Sequence, residues 1–292
     1  MAELASPIFR AAARFTGRLV GAIRAGGARA VLDWAFEEEP GCLWCGRPGP
    51  WQGGGGLCGA CWRRVAWVQP PLCQRCGKPL GQAGTCGDCA RRPVPVTVSR
   101  APALYDGLWK DLVHAFKFAG RRELCQPLAE AMARCARREG YPERCHALVP
   151  VPLSASRLQR RGYNQAELLA HRVSLHTGIP VLPALARTGK PTPSPQSLKS
   201  ARERRRSLRG AFVAQRPDLV RGLTLAVVDD VYTTGATMDE AARALLRAGA
   251  REVVGLVAAI GLTDADLFRR TPQGPSGSSP AVRPAGACRT RI

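Results

Sequence analysis

The stretch "VVDDVYTTGAT", Val227 to Thr237, decides the fold. The apolar run "LTLAVVDD" (223–230) leads into it and reads as a buried strand. "MDEAARALLRAGA" (238–250) follows and reads as a helix. Asp229 and Asp230 therefore stand at the carboxyl end of a strand, where open α/β sheets bind ligands. Two adjacent carboxylates repel each other and lose hydration when buried. A ligand with vicinal hydroxyls would satisfy them, and so would a hydrated cation. The loop Thr233, Thr234, Gly235, Ala236, Thr237 comes next. Gly235 permits positive φ and close backbone approach. The N–H groups of Gly235 to Thr237 then converge at a helix N-terminus, which is an anion site, and the threonine hydroxyls add donors. No Gly-Lys-Ser/Thr follows, so this is not a P-loop. A lone Asp-Asp would be read as a helix cap. The whole string offers carboxylates for a diol and donors for a phosphate monoester, and a ribose 5-phosphate has both.

Outward from this stretch, helix and strand alternate. "YDGLWKDLVHAFKFAG" is a helix with Leu108, Leu112 and Phe116 on one face and Gly120 as its stop. "ELCQPLAEAMARCARREG" is a second helix, and "HALVPVP" is a short buried strand ended by proline. "NQAELLAHRVSLHTG" is a helix opened by Asn164 and closed by Gly178, and "EVVGLVAAIG" is a strand. This order predicts an α/β fold with a mainly parallel sheet flanked by helices. After "LVPVP" the chain carries Arg157, Arg160 and Arg161 at a strand end, and guanidinium groups bind phosphates bidentately. "KSARERRRSLR" places Arg202 and Arg206 on one helical face, with Lys199 near it; a solvated charge run is the alternative. Lys117 is one of five lysines in an Arg-dominated chain, which hints that an ammonium is wanted there. No histidine has a partner that marks it as a base. Cys125, Cys135 and Cys145 read as packed thiols.

Eight of the twelve cysteines form four Cys-x-x-Cys pairs: Cys42/Cys45, Cys58/Cys61, Cys73/Cys76 and Cys86/Cys89. Eight thiolates supply two tetrahedral zinc ions, both closed and structural. Sequential pairing of the pairs is the expectation, and the spacing also permits a cross-braced arrangement. Without a signal peptide, a disulfide framework is disfavoured. The segments read as a basic N-terminal segment (1–37), a double zinc ribbon (38–92), an α/β domain (93–263) and a disordered tail (264–292). The α/β core is expected to be separate, so Cys42→Ser should unfold a ribbon locally and leave that domain intact. The N-terminal segment fits a basic amphipathic helix on a membrane or nucleic acid, a packing helix, or a start codon assigned too early. The 292-residue chain has no transmembrane run, and its formal net charge of +21 attracts phosphates, nucleic acid or anionic membranes. Part of that charge follows from an Arg-, Ala- and Gly-rich composition of the kind a GC-rich genome produces.

"VVDDVYTTGAT" resembles the phosphoribosyl pyrophosphate (PRPP) loop of type I phosphoribosyltransferases. "LVPVPLSASRLQRRGYNQAELLA" (148–170), "QSLKSARERRRSLRGAF" (196–212), "HAFKFAG" (114–120) and the four cysteine pairs resemble the signatures of the ComF family. The resemblance covers about residues 40–263 and departs from the family at the N-terminal arm, the tail and the Pro-rich "KPTPSP". It implies a type I phosphoribosyltransferase fold binding Mg²⁺ with PRPP, and a link to DNA uptake in natural transformation. Asp229 and Asp230 would hold the ribose, and Thr233 to Thr237 the 5-phosphate. Arg157, Arg160, Arg161, Lys117, Arg202 and Arg206 would serve the pyrophosphate. The family leaves the acceptor open and the turnover with it. The rival expectation is a non-catalytic competence factor that senses PRPP or binds single-stranded DNA, with Trp44, Trp62 and Trp67 stacking on bases beside Arg63 and Arg64. Those tryptophans also suit ribbon folding alone. The implied partners are PRPP, single-stranded DNA and the DNA-uptake machinery. The implied location is the cytoplasm, with a peripheral position at the inner membrane face.

Overall fold

A computed structural model describes residues 41–48, 56–91, 94–190 and 201–262. The basic N-terminal segment, Lys199, most of the Pro-rich stretch and the tail lie outside the described residues. The chain divides into two compact units, Met1–Val65 and Ala66–Ile292. The division falls between the second and third cysteine pairs, inside the 38–92 segment. The smaller unit holds the first cysteine cluster and helix α1 (Gly59–Arg63).

The larger unit opens with the second cluster and α2 (Gly87–Ala90), followed by strands β1 (Ser99–Arg100) and β2 (Ala103–Leu104). Helices α3 (Gly107–Phe118), α4 (Cys125–Arg138) and α5 (Tyr141–Arg144) lead to β3 (Ala147–Pro150). Then come α6 (Ala155–Arg161), α7 (Gln165–Thr177) and β4 (Leu185–Arg187). After them stand α8 (Ala201–Leu208), β5 (Phe212–Ala214) and α9 (Pro217–Val220). The chain closes with β6 (Thr224–Tyr232), α10 (Ala236–Arg247) and β7 (Glu252–Ile260).

The main sheet is five-stranded, ordered β1-β7-β6-β3, with β2 also on β7, and every pairing in it is parallel. Parallel sheets are buried on both faces, and here the strand residues alternate between two apolar layers. Val149, Leu225, Val227, Val253 and Val257 share one cluster with Met238, Ala241 and Leu245 of α10. Their neighbours Leu148, Ala226, Val228, Val254 and Leu256, just as buried, point to the opposite face. There α4 and α7 pack against each other and against the central strands. Asn164 caps α7 by accepting from the Ala166 N–H at 3.1 Å, and Gly178 ends it in the left-handed region, as its flanking residues predict. The buried polar ends find partners on β7: Trp109 Nε1–H donates to the Ala258 carbonyl at 2.8 Å, and the Tyr141 hydroxyl to the Gly255 carbonyl at 3.0 Å.

One feature departs from the expected separation of ribbon and α/β core. Cys73, Cys76, Cys86 and Cys89 belong to the same apolar cluster as β6 and α10. The knuckle is seated on β1. The Ser99 N–H donates to the Arg75 carbonyl at 2.6 Å, and a Cβ at Gly77 (φ +74°) would lie 2.5 Å from the Ser99 carbonyl oxygen. The α/β core of this chain is therefore completed by its second ribbon.

Candidate functional site

The parallel strands present their carboxyl ends to a cleft of about 1080 Å³. β3 stops at Pro150, while β6 runs on to Tyr232 against β7 alone, and this overhang carries Asp229 and Asp230 into the cleft. The Asp230 N–H donates to Asp229 Oδ1 at 2.8 Å, so the two carboxylates turn to different neighbours. Asp230 accepts an ion pair from Lys117 Nζ at 2.8 Å, from the last turn of α3. The Asp229 carboxyl is pushed up to about 7 by burial first and by the Asp230 charge second, with Lys117 opposing. Two carboxylates thus stand beside one ammonium, an arrangement that can accept from a hydroxyl pair or face a cation.

Gly235 caps α10 at φ +73°, the left-handed region that glycine alone adopts without strain. It is fixed sterically as well, because a Cβ there would lie 2.3 Å from the Tyr232 hydroxyl. The loop Thr233 to Thr237 lines the cleft with the N-terminal N–H groups of the 12-residue α10 behind it. Ala236 N–H leans on Thr234 Oγ1 at 3.4 Å.

Opposite stand the arginines. Arg157, Arg160 and Arg161, all on α6, line the cleft. Asn164 holds this loop against β3 by donating from Nδ2 to the Val151 carbonyl at 3.1 Å. Burial, then the charges of Arg161 and Arg160, lower the Arg157 guanidinium from its ordinary range, while Asp230 and Asp229 pull it back. Arg187 joins them from β4, its guanidinium 5.2 Å from the centroid of the Phe212 ring and lowered by burial and by Arg157. Sequence reasoning missed Arg187. No motif surrounds it, and only the antiparallel pairing of β4 with β5 brings it to the cleft. In α8 the arginine facing the cleft is Arg204; Arg202 and Arg206 are exposed and do not line it. Arg204 Nε is buried without a hydrogen-bond partner among the described residues. The segment after α8 is clamped to α10, since the Gly210 N–H donates to Glu240 Oε1 at 2.7 Å and Glu240 is 2% exposed.

The cysteine pairs assemble sequentially. Cys42, Cys45, Cys58 and Cys61 form one group and Cys73, Cys76, Cys86 and Cys89 the other, with the Sγ atoms of each group within 4.8 Å of one another. Cys45 and Cys58 sulfurs are 3.7 Å apart, and Cys76 and Cys86 sulfurs 3.6 Å. Four sulfurs about 2.3 Å from a tetrahedral zinc lie about 3.8 Å apart, so both groups fit a structural zinc ion. Backbone donors support the thiolates. The Cys58 N–H reaches Cys42 Sγ and the Cys86 N–H reaches Cys73 Sγ, each at 3.3 Å. Burial raises the Cys42 thiol, yet the N–H groups of Cys45, Cys58 and Trp44 outweigh it and bring it down to about 6. Metal analysis of the purified chain is expected to give two zinc ions per chain; disulfides in place of either group would overturn this. Cys125, Cys135 and Cys145 are buried thiols pushed up to about 12, 11 and 11 by burial, which suits packing. Trp67 lies 5.5 Å from Trp109 ring to ring and is half-buried, so it serves packing in the larger unit.

Fold and site together define a zinc-ribbon-bearing α/β protein whose parallel sheet opens onto a cleft of paired carboxylates facing arginines. The family profile described as "Double zinc ribbon domain" matches residues 31–90. The chain is 36% identical over 220 residues to the DNA utilization protein YhgH of Escherichia coli O157:H7, covering 73% of this chain and 94% of that one. It is 32% identical over 206 residues to competence protein F of Haemophilus influenzae, covering 68% and 87%. Over 199 residues it is 29% identical to competence protein ComFC of Bacillus subtilis, covering 66% and 79%. The chain belongs to the ComF family. Among the described residues no helix is long and apolar enough to cross a membrane.

Proposed function

We propose that the cleft binds PRPP together with Mg²⁺, in a protein that serves DNA uptake or utilization as the names of its relatives indicate. The observation that carries this reading is the single run from Asp229 to Thr237. It sets two carboxylates beside a glycine-capped helix N-terminus, in one cleft with Arg157, Arg161, Arg187 and Arg204. The 5-phosphate would lie on Thr233 to Thr237, the ribose hydroxyls on Asp229 and Asp230, and the pyrophosphate toward the arginines. Mg²⁺ bound with the pyrophosphate would offset its charge, its waters within reach of the carboxylates. In a transfer reaction the bond from ribose C1 to pyrophosphate breaks, pyrophosphate leaves with the electron pair, and the acceptor's lone pair forms the new bond. The arginines would stabilise the departing charge.

A second reading is binding without turnover, as a PRPP-sensing or single-stranded-DNA-handling factor. It is favoured by the names of the relatives, which speak of DNA utilization and competence. Pyrophosphate release in the presence of candidate acceptors separates the two readings, because a sensor binds Mg-PRPP and releases none.

The placement of α8 gives a sharper test of the binding mode. Arg204→Ala is expected to weaken Mg-PRPP binding about tenfold, the range of a lost charge-assisted hydrogen bond. Arg202→Ala and Arg206→Ala are expected to change it less than about twofold. Calorimetry showing the reverse order would mean that α8 presents its other face to the ligand.

A further inference from the structure

The two cysteine clusters open with the same turn. "CLWCGRP" (42–48) and "CQRCGKP" (73–79) both place a basic residue two positions after the second cysteine. Both turns close with a backbone bond of 2.8 Å, from the Cys42 N–H to the Arg47 carbonyl and from the Cys73 N–H to the Lys78 carbonyl. The two basic side chains end in opposite environments. Arg47 is exposed, whereas Lys78 is 2% exposed. A lysine is almost never buried this completely unless an anion accompanies it. The Asp88 carboxylate stands 3.8 Å from Lys78 Nζ, beyond hydrogen-bond reach. It is half-exposed and is shared with Arg91 at 3.4 Å. That contact alone does not offset the removal of an ammonium from water.

The zinc cluster beside it supplies the missing charge. Four thiolates around one zinc ion leave two negative charges. Cys73, Cys76, Cys86 and Cys89 are all buried, so this charge also stands away from water. The Lys78 N–H donates to the Cys76 sulfur and the Cys86 N–H to the Cys73 sulfur, dipoles that spread the charge without neutralising it. The Lys78 backbone is thus bonded at the first cysteine pair, while its ammonium ends by Asp88, the residue directly before Cys89. The side chain runs from one pair to the other alongside the sulfurs. We infer that Lys78 is the buried counter-charge of the second zinc site and makes that site hold its zinc ion more tightly than the first. Ammonium and cluster each offset the desolvation of the other. At the first cluster the matching Arg47 points into solvent and Cys45 is exposed, so water meets the charge there. The inference does not depend on what the cleft binds.

The test is competition for zinc between the full chain and chelators of graded affinity, which resolves one step per site. Lys78→Met keeps the length and the apolar stem of the side chain and removes its charge. It is expected to weaken the tighter step about 10–100-fold, the range for a lost outer-shell partner of a metal site, and to leave the weaker step unchanged. Arg47→Met should shift neither step by more than about twofold, as for an exposed charge. Asp88→Asn should not weaken the tighter step; a loss as large as that of Lys78→Met would mean that the ammonium is held for Asp88 instead. A thermal melt separates charge from packing. Lys78→Met should melt below the parent at limiting zinc and recover the parent melting temperature in excess zinc, because its defect lies in the metal equilibrium. Steps that coincide in the parent, an effect of Lys78→Met on the weaker step, or an unchanged tighter step would overturn the inference. So would a melting loss that excess zinc does not restore, or a chain that stays unfolded at saturating zinc.

Discussion

Replacing Asp229 and Asp230 together by alanine is expected to abolish Mg-PRPP binding, with affinity lost by more than about a hundredfold. Two half-buried carboxylates facing a diol would each contribute charge-assisted hydrogen bonds of about 1.5–3 kcal/mol. Their joint removal also leaves Lys117 without its partner 2.8 Å away. Calorimetry with unchanged affinity in this variant would show that the ribose lies elsewhere. A companion variant, Asp229→Asn, reads the stability held in the site. The folded-state carboxyl titrates near 7 against an ordinary value of 3.8. Between those values the folded state holds more protons than the unfolded one, so stability falls as pH rises through that window and levels off above it. Asp229→Asn removes this cost. It is expected to stabilise the fold at pH 8 by about 1–3 kcal/mol, with the gain shrinking toward zero below about pH 4. A thermal shift that is equal at both pH values, or a loss at pH 8, would mean that Asp229 is not a strained carboxylate. The pairing of higher stability with lost binding marks a site whose charge is kept for a ligand.

What could be read from the chain follows from how local each feature is. The run from Val227 to Thr237 declares its own geometry, because strand, carboxylates, left-handed glycine and helix start are contiguous and each has a periodicity or a steric reason. The Cys-x-x-Cys pairs are local in the same sense, but their grouping is not: the spacers from Cys45 to Cys58, Cys61 to Cys73 and Cys76 to Cys86 are alike, and only the fold selects sequential pairing. Arg187 is the opposite case. It reaches the cleft only because β4 pairs antiparallel with β5, Arg187 opposite Phe212, and a three-residue strand gives no pattern to read. The arginine row in α8 was legible as a charge run but not in its rotation. Period-four spacing groups Arg202 with Arg206, whereas packing of α8 on α10 turns Arg204 inward. Lys117 stands out in the sequence as one of few lysines, but its partner, the Asp230 carboxylate at 2.8 Å, lies 113 residues away, a contact that no local signal carries. The seating of the second ribbon on β1 is likewise a tertiary fact. Ser99 and Gly77 are ordinary residues until the strand and the knuckle meet.

That seating makes the two zinc clusters unequal. Cys42→Ser is expected to release one zinc ion and leave the larger unit folded, whereas Cys73→Ser is expected to unfold the larger unit. Cys42 and its partners belong to Met1–Val65, and Cys45 is exposed there. Cys73 is 0% exposed and shares its apolar cluster with Val227, Tyr232 and Met238, the residues beneath the cleft. Its knuckle also holds β1 in place, and β1 pairs with β7 at Ser99 opposite Gly255. Packing there is tight, since a Cβ at Gly255 would lie 2.4 Å from Ser99 Oγ. Zinc binding at a structural site is worth about 10–16 kcal/mol, and that free energy is folding free energy. A domain has about 5–15 kcal/mol of net stability, so losing this metal exceeds what the α/β body can absorb. The measurement is zinc stoichiometry together with near-ultraviolet circular dichroism, which reports the buried Trp109. Cys42→Ser should retain one zinc ion and the parent spectrum, with Mg-PRPP binding within about twofold of the parent if the larger unit alone holds that site. Cys73→Ser should lose the spectrum and the binding together. A Cys73→Ser chain that melts like the parent would show that β1 and the sheet stand without their knuckle. A Cys42→Ser chain that loses the spectrum would show that the larger unit cannot fold alone. A chelator titration of the parent makes the same distinction without a substitution: one zinc ion should leave while the spectrum holds, and the spectrum should collapse with the second.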